Sequence, residues 1–236
     1  MLKKKKLVIL TGAGISAESG IQTFRDSDGL WEQHRIEDVA TPFAFQKNPQ
    51  LVLNFYNERR KKVRTAQPNA GHKTLAELEK YFDVTIITQN IDDLHERAGS
   101  SHIIHLHGEI FKSRSCNNPS LIYDCPDTIN LGDLAEDGSQ LRPHIVWFYE
   151  DVPQMEAAIG ETQRAEILMI IGTSLQVYPA AGLAMYAPYD ALKFLVDPHI
   201  PEVSHIPNLE IVNANATIGV PELAERLINE YGGDST

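Results

Sequence analysis

Leu7-Val8-Ile9-Leu10 runs directly into Thr11-Gly12-Ala13-Gly14. A short, uniformly apolar run that stops at small and polar residues suits a strand covered on both faces, as in a parallel sheet layered with helices. The pattern recurs in Val84 to Ile87 before Thr88-Gln89-Asn90, in Ile167 to Ile171 before Gly172-Thr173-Ser174, and in Phe194 to Val196 before Asp197-Pro198. In such sheets ligands bind beyond the carboxyl ends of the strands. Gly12, Asn90, Ser174 and Asp197 are therefore expected around one crevice, although four ordinary strand-to-helix turns would read the same way.

Helical patterns separate the runs. Asn48 followed by Pro49 is an N-cap with proline at the first helical position, and Val52, Phe55, Tyr56, Arg59 and Val63 then share a face. Leu75, Leu78 and Phe82 form a shorter stripe after Asn69. Pro221 is expected to start a last helix that carries Leu223, Leu227 and Ile228 and stops at Gly232, with Gly233 to Thr236 a frayed tail. Residues 25–66, helical and polar with no strand to pair, and residues 112–142, rich in turns, break the rhythm. They are expected to form a smaller module docked on a core of residues 1–24, 67–111 and 143–236, all within a single catalytic-domain-sized unit.

The 236 residues are enough to bury about 70–75% of the unfolded surface. Charged residues make up 22% and hydrophobic residues 42%, which excludes wholesale disorder. The net charge of −11 argues against a general nucleic-acid binder, and no apolar run approaches the ~20 residues that span a bilayer. Lys3 to Lys6 before Leu7 resembles a secretory leader, but the apolar stretch is only four residues long. Two cysteines cannot build a disulfide framework. A cytoplasmic protein is expected, with neither nucleic-acid nor membrane partners and with its oligomeric state open.

Gly12-Ala13-Gly14 permits a tight turn and a close approach of backbone N–H groups to a pyrophosphate. Ala17 stands where the dinucleotide fingerprint has its third glycine, and no acidic residue follows a second strand, which disfavours a hydride-transferring dehydrogenase. Instead, Gly12-Ala13-Gly14-Ile15-Ser16-Ala17-Glu18-Ser19-Gly20-Ile21 with Phe24-Arg25 resembles the cofactor loop of sirtuins, the NAD-dependent protein-lysine deacylases. The resemblance continues, in family order, through Thr88-Gln89-Asn90-Ile91-Asp92-Asp93-Leu94-His95, His105-Leu106-His107-Gly108-Glu109 and Gly172-Thr173-Ser174. It implies an α/β fold: a Rossmann-like parallel sheet with helices on both faces, plus a small inserted module.

The resemblance also implies roles. His107 aligns with the general base that takes a ribose hydroxyl proton after the acyl-lysine oxygen has displaced nicotinamide; a neutral imidazole with a pKa near 6.5 suits that task. His105, two residues away, is expected to face the same way. Asn90 and Asp92 flank the nicotinamide site, where an amide and a carboxylate complement a carboxamide; Asn90 capping the next helix is the structural alternative. The cofactor set extends to Gly12, Ala13, Gly14, Ser16, Phe24, Arg25, Trp31, Gln89, Ile91, Gly172, Thr173 and Ser174, with Asp197 and Ala216 at the adenosine end. For Thr173 and Ser174 the structural alternative is a helix start before Pro179.

Tyr56 and Arg59, spaced i, i+3 on one helix face, match the pair that marks members removing acidic acyl groups such as succinyl and malonyl. A guanidinium grips a carboxylate bidentately while the phenol donates; an aromatic core residue beside a surface arginine is the plainer reading. Ala40-Thr41-Pro42 is small where a narrower acetyl site would want bulk. Breadth, acetyl together with acidic acyl groups, is expected. Val146 and Phe148, within Val146 to Glu150, resemble the segment that pairs with an acyl-lysine peptide as a strand, and Tyr149 replaces the family's usual glycine. Most sirtuins also hold a structural zinc with two Cys-x-x-Cys pairs. Here Pro119 and Thr128 stand where partners of Cys116 and Cys125 belong, so NAD is expected and zinc is not. The products implied are nicotinamide, O-acyl-ADP-ribose and free lysine. ADP-ribosyl transfer or NAD hydrolysis, and a non-catalytic NAD-sensing module, are the rival readings.

Overall fold

All four apolar runs are strands of one sheet. A computed structural model describes residues 3–22 and 30–232; Phe24, Arg25 and the tail from Gly233 lie outside the described residues. The chain enters through β1 (Lys6–Thr11) and the single turn α1 (Gly14–Ala17), then a two-residue hairpin, β2 (Leu30–Trp31) and β3 (His34–Arg35). A helical stretch follows: α2 (Ile36–Val39), α3 (Pro42–Lys47) and α4 (Pro49–Thr65). Next come α5 (Ala70–Glu77), β4 (Asp83–Thr88), α6 (Leu94–Ala98) and β5 (Ile103–His105). β6 (Gly108–Ser115), β7 (Ile122–Asp124) and β8 (Leu141–Ile145) form a second, antiparallel sheet in the order β7-β6-β8. The chain closes with α7 (Met155–Thr162), β9 (Ile167–Ile171), β10 (Leu192–Val196), β11 (Leu209–Val212) and α8 (Ala216–Tyr231).

The main sheet runs β11-β10-β9-β1-β4-β5, and every pairing is parallel. Successive side chains of a strand alternate between faces. Leu7 and Ile9 accordingly enter the core layer that holds Leu75, Leu223 and Leu227, while Val8 and Leu10 enter the opposite layer with Ala158 and Leu183. Each fully buried aliphatic side chain contributes about 1.5–3 kcal/mol relative to exposure, so both faces of β1 are strongly specified. A third cluster joins α4 to the second sheet through Val52, Phe55, Tyr56, Ile110 and Trp147.

Three expectations change. Residues 25–66 do contain strand: Trp31 pairs with His34, too short an element for periodicity to reveal, held because Trp31 packs edge-on to Phe55. The turn-rich residues 112–142 hold most of the antiparallel sheet, whose strands carry Lys112, Ser113, Arg114 and Arg142 and so show no apolar run. α8 starts at Ala216, and Pro221 lies inside it; proline there forgoes one i→i−4 bond.

Hydrogen bonds hold this second sheet's long turn. Ser115 Oγ accepts from the N–H groups of Asn117 and Asn118 at 3.0 and 2.9 Å and donates to Asp137 at 2.6 Å. Buried Arg60 donates to the carbonyls of Ile110 and Asp127 at 2.8 and 3.0 Å. Cys116 is exposed, while Cys125 is buried beside Leu53 and Ile129. Among the described residues, no group of three or more His, Cys, Asp or Glu side chains is arranged to hold a metal ion, and no helix is long and apolar enough to cross a membrane.

Candidate active site

Register levels the ends of the strands. Thr11 lies opposite Thr88 and Ile171, and Val196 opposite Ile171, so Gly12, Gln89, Gly172 and Asp197 leave the sheet along one edge. The chain order reverses between β1 and β9, the position at which open α/β sheets form their binding crevice. A crevice of about 870 Å³ opens there, and every described residue proposed above for cofactor or substrate lines it: Gly12, Ala13, Gly14, Ser16, Trp31, Tyr56, Arg59, Gln89, Asn90, Ile91, Asp92, His107, Val146, Phe148, Gly172, Thr173, Ser174, Asp197 and Ala216.

The glycines of β1's turn are required first by their neighbour. Gly14 N–H donates to Gly172 O at 2.8 Å, and Gly12 N–H to Ile171 O at 3.0 Å. A Cβ on Gly14 would lie 2.6 Å from Gly172 Cα. Gly172 itself has φ +62°, and a Cβ there would lie 2.4 Å from Ile15 N. The two turns touch backbone to backbone.

Behind them, Asn90 Nδ2 donates to Gly12 O at 3.1 Å and to Ser16 Oγ at 3.2 Å, and Ser16 donates to Asp92 Oδ2 at 3.0 Å. Asn90 does not cap a helix: α6 begins at Leu94, whose N–H bonds Asp92 Oδ1 at 3.2 Å. Burial pushes the Asp92 carboxyl pKa up, against the Leu94 and Ser16 bonds that favour its charged form. A buried histidine pair that sequence reasoning missed lies beneath: His72 Nε2 is 3.4 Å from Ser16 Oγ and His95 Nε2 is 3.0 Å from Thr11 Oγ1, with ring centroids 5.0 Å apart. Burial lowers the His72 pKa to about 4 and holds that of His95 well below its ordinary value. Thr173 Oγ1 accepts from Gln89 Nε2 at 3.0 Å and from Leu175 N–H at 3.2 Å, and the helix near Pro179 starts only at Ala180. Asp197 Oδ1 accepts from His199 N–H at 2.8 Å.

His107 Nδ1 donates to the Gln89 carbonyl at 3.0 Å. A carbonyl only accepts, so this bond places the ring proton on Nδ1 and the free lone pair on Nε2. Burial lowers the His107 pKa, with the Gln89 bond opposing. His105 takes a different direction from the one expected. β5 ends at His105, so strand alternation no longer relates the two residues, and His105 bonds Glu96 at 2.6 Å outside the crevice.

The remaining wall joins two layers. Tyr56, fully buried, accepts from Trp147 Nε1 at 3.0 Å, and burial raises its pKa. Arg142 stacks on Trp147 at 3.3 Å from its centroid and bonds Glu150, which accepts from Trp147 N–H at 2.8 Å. Val146 N–H donates to His107 O and Phe148 N–H to Ala40 O, at 2.9 and 3.0 Å. Tyr149, at φ +70° and 81% exposed, stands at the rim edge-on to Phe43, 6.0 Å away. Arg59 stacks over Trp31 at 4.5 Å and pairs with Glu32 at 3.3 Å. Burial lowers the Arg59 pKa, with Glu32 and then Asp92 opposing. Glu32 and His199 were not anticipated; both lie in turns or loops, where no hydrophobic period marks a residue.

The model of the Sir2 family matches residues 12–179. A Helicobacter pylori protein named NAD-dependent protein deacylase is 56% identical over 225 residues, covering 95% of this chain and 98% of its own. A Bacteroides thetaiotaomicron protein of the same name is 54% identical over 230 residues, covering 95% and 98%. Among solved structures, a Sir2 homologue in complex with NAD superposes with TM-score 0.85 at 40% identity, over 96% of this chain and 90% of its own. A mutant Sir2 homologue in complex with ADP-ribose gives 0.87 at 38%, over 98% and 95%. Sequence, fold and crevice agree that the chain belongs to the Sir2 family.

Proposed function

We propose that this protein is an NAD-dependent protein-lysine deacylase that removes acetyl and acidic acyl groups, succinyl and malonyl among them, and releases nicotinamide, O-acyl-ADP-ribose and free lysine. The observation that carries the reading is the meeting of the glycine turn, the Asn90–Asp92 cluster and His107 in one crevice. Its volume falls within the roughly 300–1,000 Å³ of small-molecule sites, and its position at the sheet's switch point suits a dinucleotide. When bound, NAD supplies the electrophilic ribose carbon that accepts the acyl oxygen. Asn90 Oδ1 and Asp92 accept from the carboxamide NH2, their positions fixed by Gly12 O and Ser16. His107 Nε2 takes the ribose hydroxyl proton, while its Nδ1–H stays on Gln89 O and keeps the ring oriented. Thr173, Ser174, Asp197 and Ala216 support the ribose, phosphate and adenine. At the acyl end Arg59 Nε is buried without a hydrogen-bond partner among the described residues, and Tyr56 retains its hydroxyl hydrogen to donate. Both features favour an acyl group that ends in a carboxylate.

Matched acetyl-, malonyl- and succinyl-lysine peptides incubated with NAD and followed by mass spectrometry test the reading. Loss of each acyl group with formation of O-acyl-ADP-ribose is expected, and its abolition in His107→Ala. Nicotinamide release without deacylation would point instead to NAD hydrolysis or ADP-ribosyl transfer.

A further inference from the structure

Arg59 is the sole lysine or arginine among the described residues lining the crevice. Its guanidinium already has a carboxylate. Glu32 Oε1 lies 3.3 Å from Arg59 Nη1, and the two side chains are 8% (Arg59) and 10% (Glu32) exposed. Glu32 sits in the two-residue turn between β2 and β3, at φ +50°, followed by Gln33 at φ +68°. Paired positive φ values are those of a hairpin turn that favours Asn-Gly; a Glu-Gln turn is held by something else. Two cations of α4, Arg59 and Lys62, supply that hold, since Lys62 bonds the other oxygen, Oε2, from a side chain 59% exposed.

One guanidinium offers five donors in a fork, and Glu32 engages only one of them among the described residues, by a long bond, leaving Arg59 Nε buried and without a partner. A second carboxylate brought to the same guanidinium meets Glu32 in surroundings where like charges repel strongly. Lys62 gives Glu32 a partner to retain if it swings away from Arg59.

We propose that Glu32 is a specificity-determining residue: its carboxylate occupies Arg59, so an acidic acyl group binds only by displacing Glu32 or sharing Arg59 with it, whereas neutral acyl groups bypass that contest. The inference rests on the reading of Arg59 as the acyl-carboxylate site, and it makes the Glu32–Arg59 pair the element that sets the balance between acetyl and succinyl substrates.

The test measures kcat and KM at saturating NAD for three peptides of one sequence, bearing acetyl-lysine, succinyl-lysine and the uncharged succinamoyl-lysine of the same shape. Glu32→Gln is expected to lower KM for the succinyl peptide about tenfold, while kcat and both neutral peptides stay within about twofold of wild type. Glu32→Asp, which withdraws the carboxylate but keeps its charge for Lys62, is expected to raise the succinyl-to-acetyl ratio of kcat/KM by a smaller factor. A structural role alone would move all three peptides together, and that outcome overturns the proposal. If Arg59→Met abolishes succinyl removal while neither Glu32 variant shifts the ratio, the proposal fails and the acyl-site reading stands. If Arg59→Met leaves succinyl removal unchanged, both fall.

Discussion

Replacing Gly172 with alanine tests the claim that the two turns at the crevice floor are interlocked. The change carries two separate costs. Gly172 has φ +62°, a region that costs an L-residue about 1–2 kcal/mol. Its new Cβ would stand 2.4 Å from Ile15 N, a backbone atom that cannot rotate aside, and overpacking of this kind costs about 1–3 kcal/mol. Reduced freedom of the unfolded chain returns about 0.4–1 kcal/mol, so the net loss is about 3 kcal/mol, or about 6–12 °C in Tm for a chain of this length. Two controls separate the costs. Gly138→Ala has the positive φ, +75°, with nothing within 4 Å, and should cost about 1 kcal/mol. Gly14→Ala has the close contact, 2.6 Å to Gly172 Cα, without a left-handed φ, and should cost about 1–2 kcal/mol. Urea unfolding by linear extrapolation reads all three. Equal losses at Gly172 and Gly138 would refute the interlock.

Other outcomes follow from the buried ionisable groups and the cysteines. Burial lowers the His107 pKa, so the acidic limb of kcat/KM should turn below pH 6.5, and a limb above pH 7 would remove His107 from the role of base. His72, lowered by burial to about 4, takes up its proton in the unfolded chain first. Its contribution to stability is complete above pH 6.5 and lost as pH falls toward 4, about 2 kcal/mol by pH 5. His95 adds in the same direction, while His105, whose bond and charge pairing with Glu96 outweigh its burial and raise its pKa, works the other way. Urea midpoints at pH 7.5 and 5 check the sign, and an unchanged midpoint would contradict it. Metal analysis of folded, untagged protein should find no stoichiometric zinc; one zinc per chain would overturn the reading of Cys116 and Cys125.

The main sheet was legible because each central strand is buried on both faces and therefore uniformly apolar: Ile167 to Ile171 was located to the residue. A helix start was legible where a cap shows in the chain, as at Asn48 before Pro49. The antiparallel sheet was hidden because its strands carry arginine and lysine in place of an apolar run, Arg142 among them, whose partner Glu150 lies in the turn beyond β8. At the site, contiguous motifs yielded Gly12, Asn90, His107 and Ser174. Partners that meet only through folding stayed invisible: Glu32 reaches Arg59 from 27 positions away, and Trp147 reaches Tyr56 from 91. The spacing of His105 and His107 misled for a local reason, since alternation holds only while a strand continues.

That break in the strand has a consequence for motion. His107 lies between the last residue of β5 in the large sheet and the first of β6 in the small one, with its ring tethered to the carbonyl of Gln89 and its own carbonyl receiving Val146 N–H. His107 is thus tied at both ends, its ring to the turn after β4 of the large sheet and its backbone to the segment after β8 of the small one. A displacement of one sheet against the other would have to bend or break one of these two bonds, so the position of His107 is set by both sheets at once.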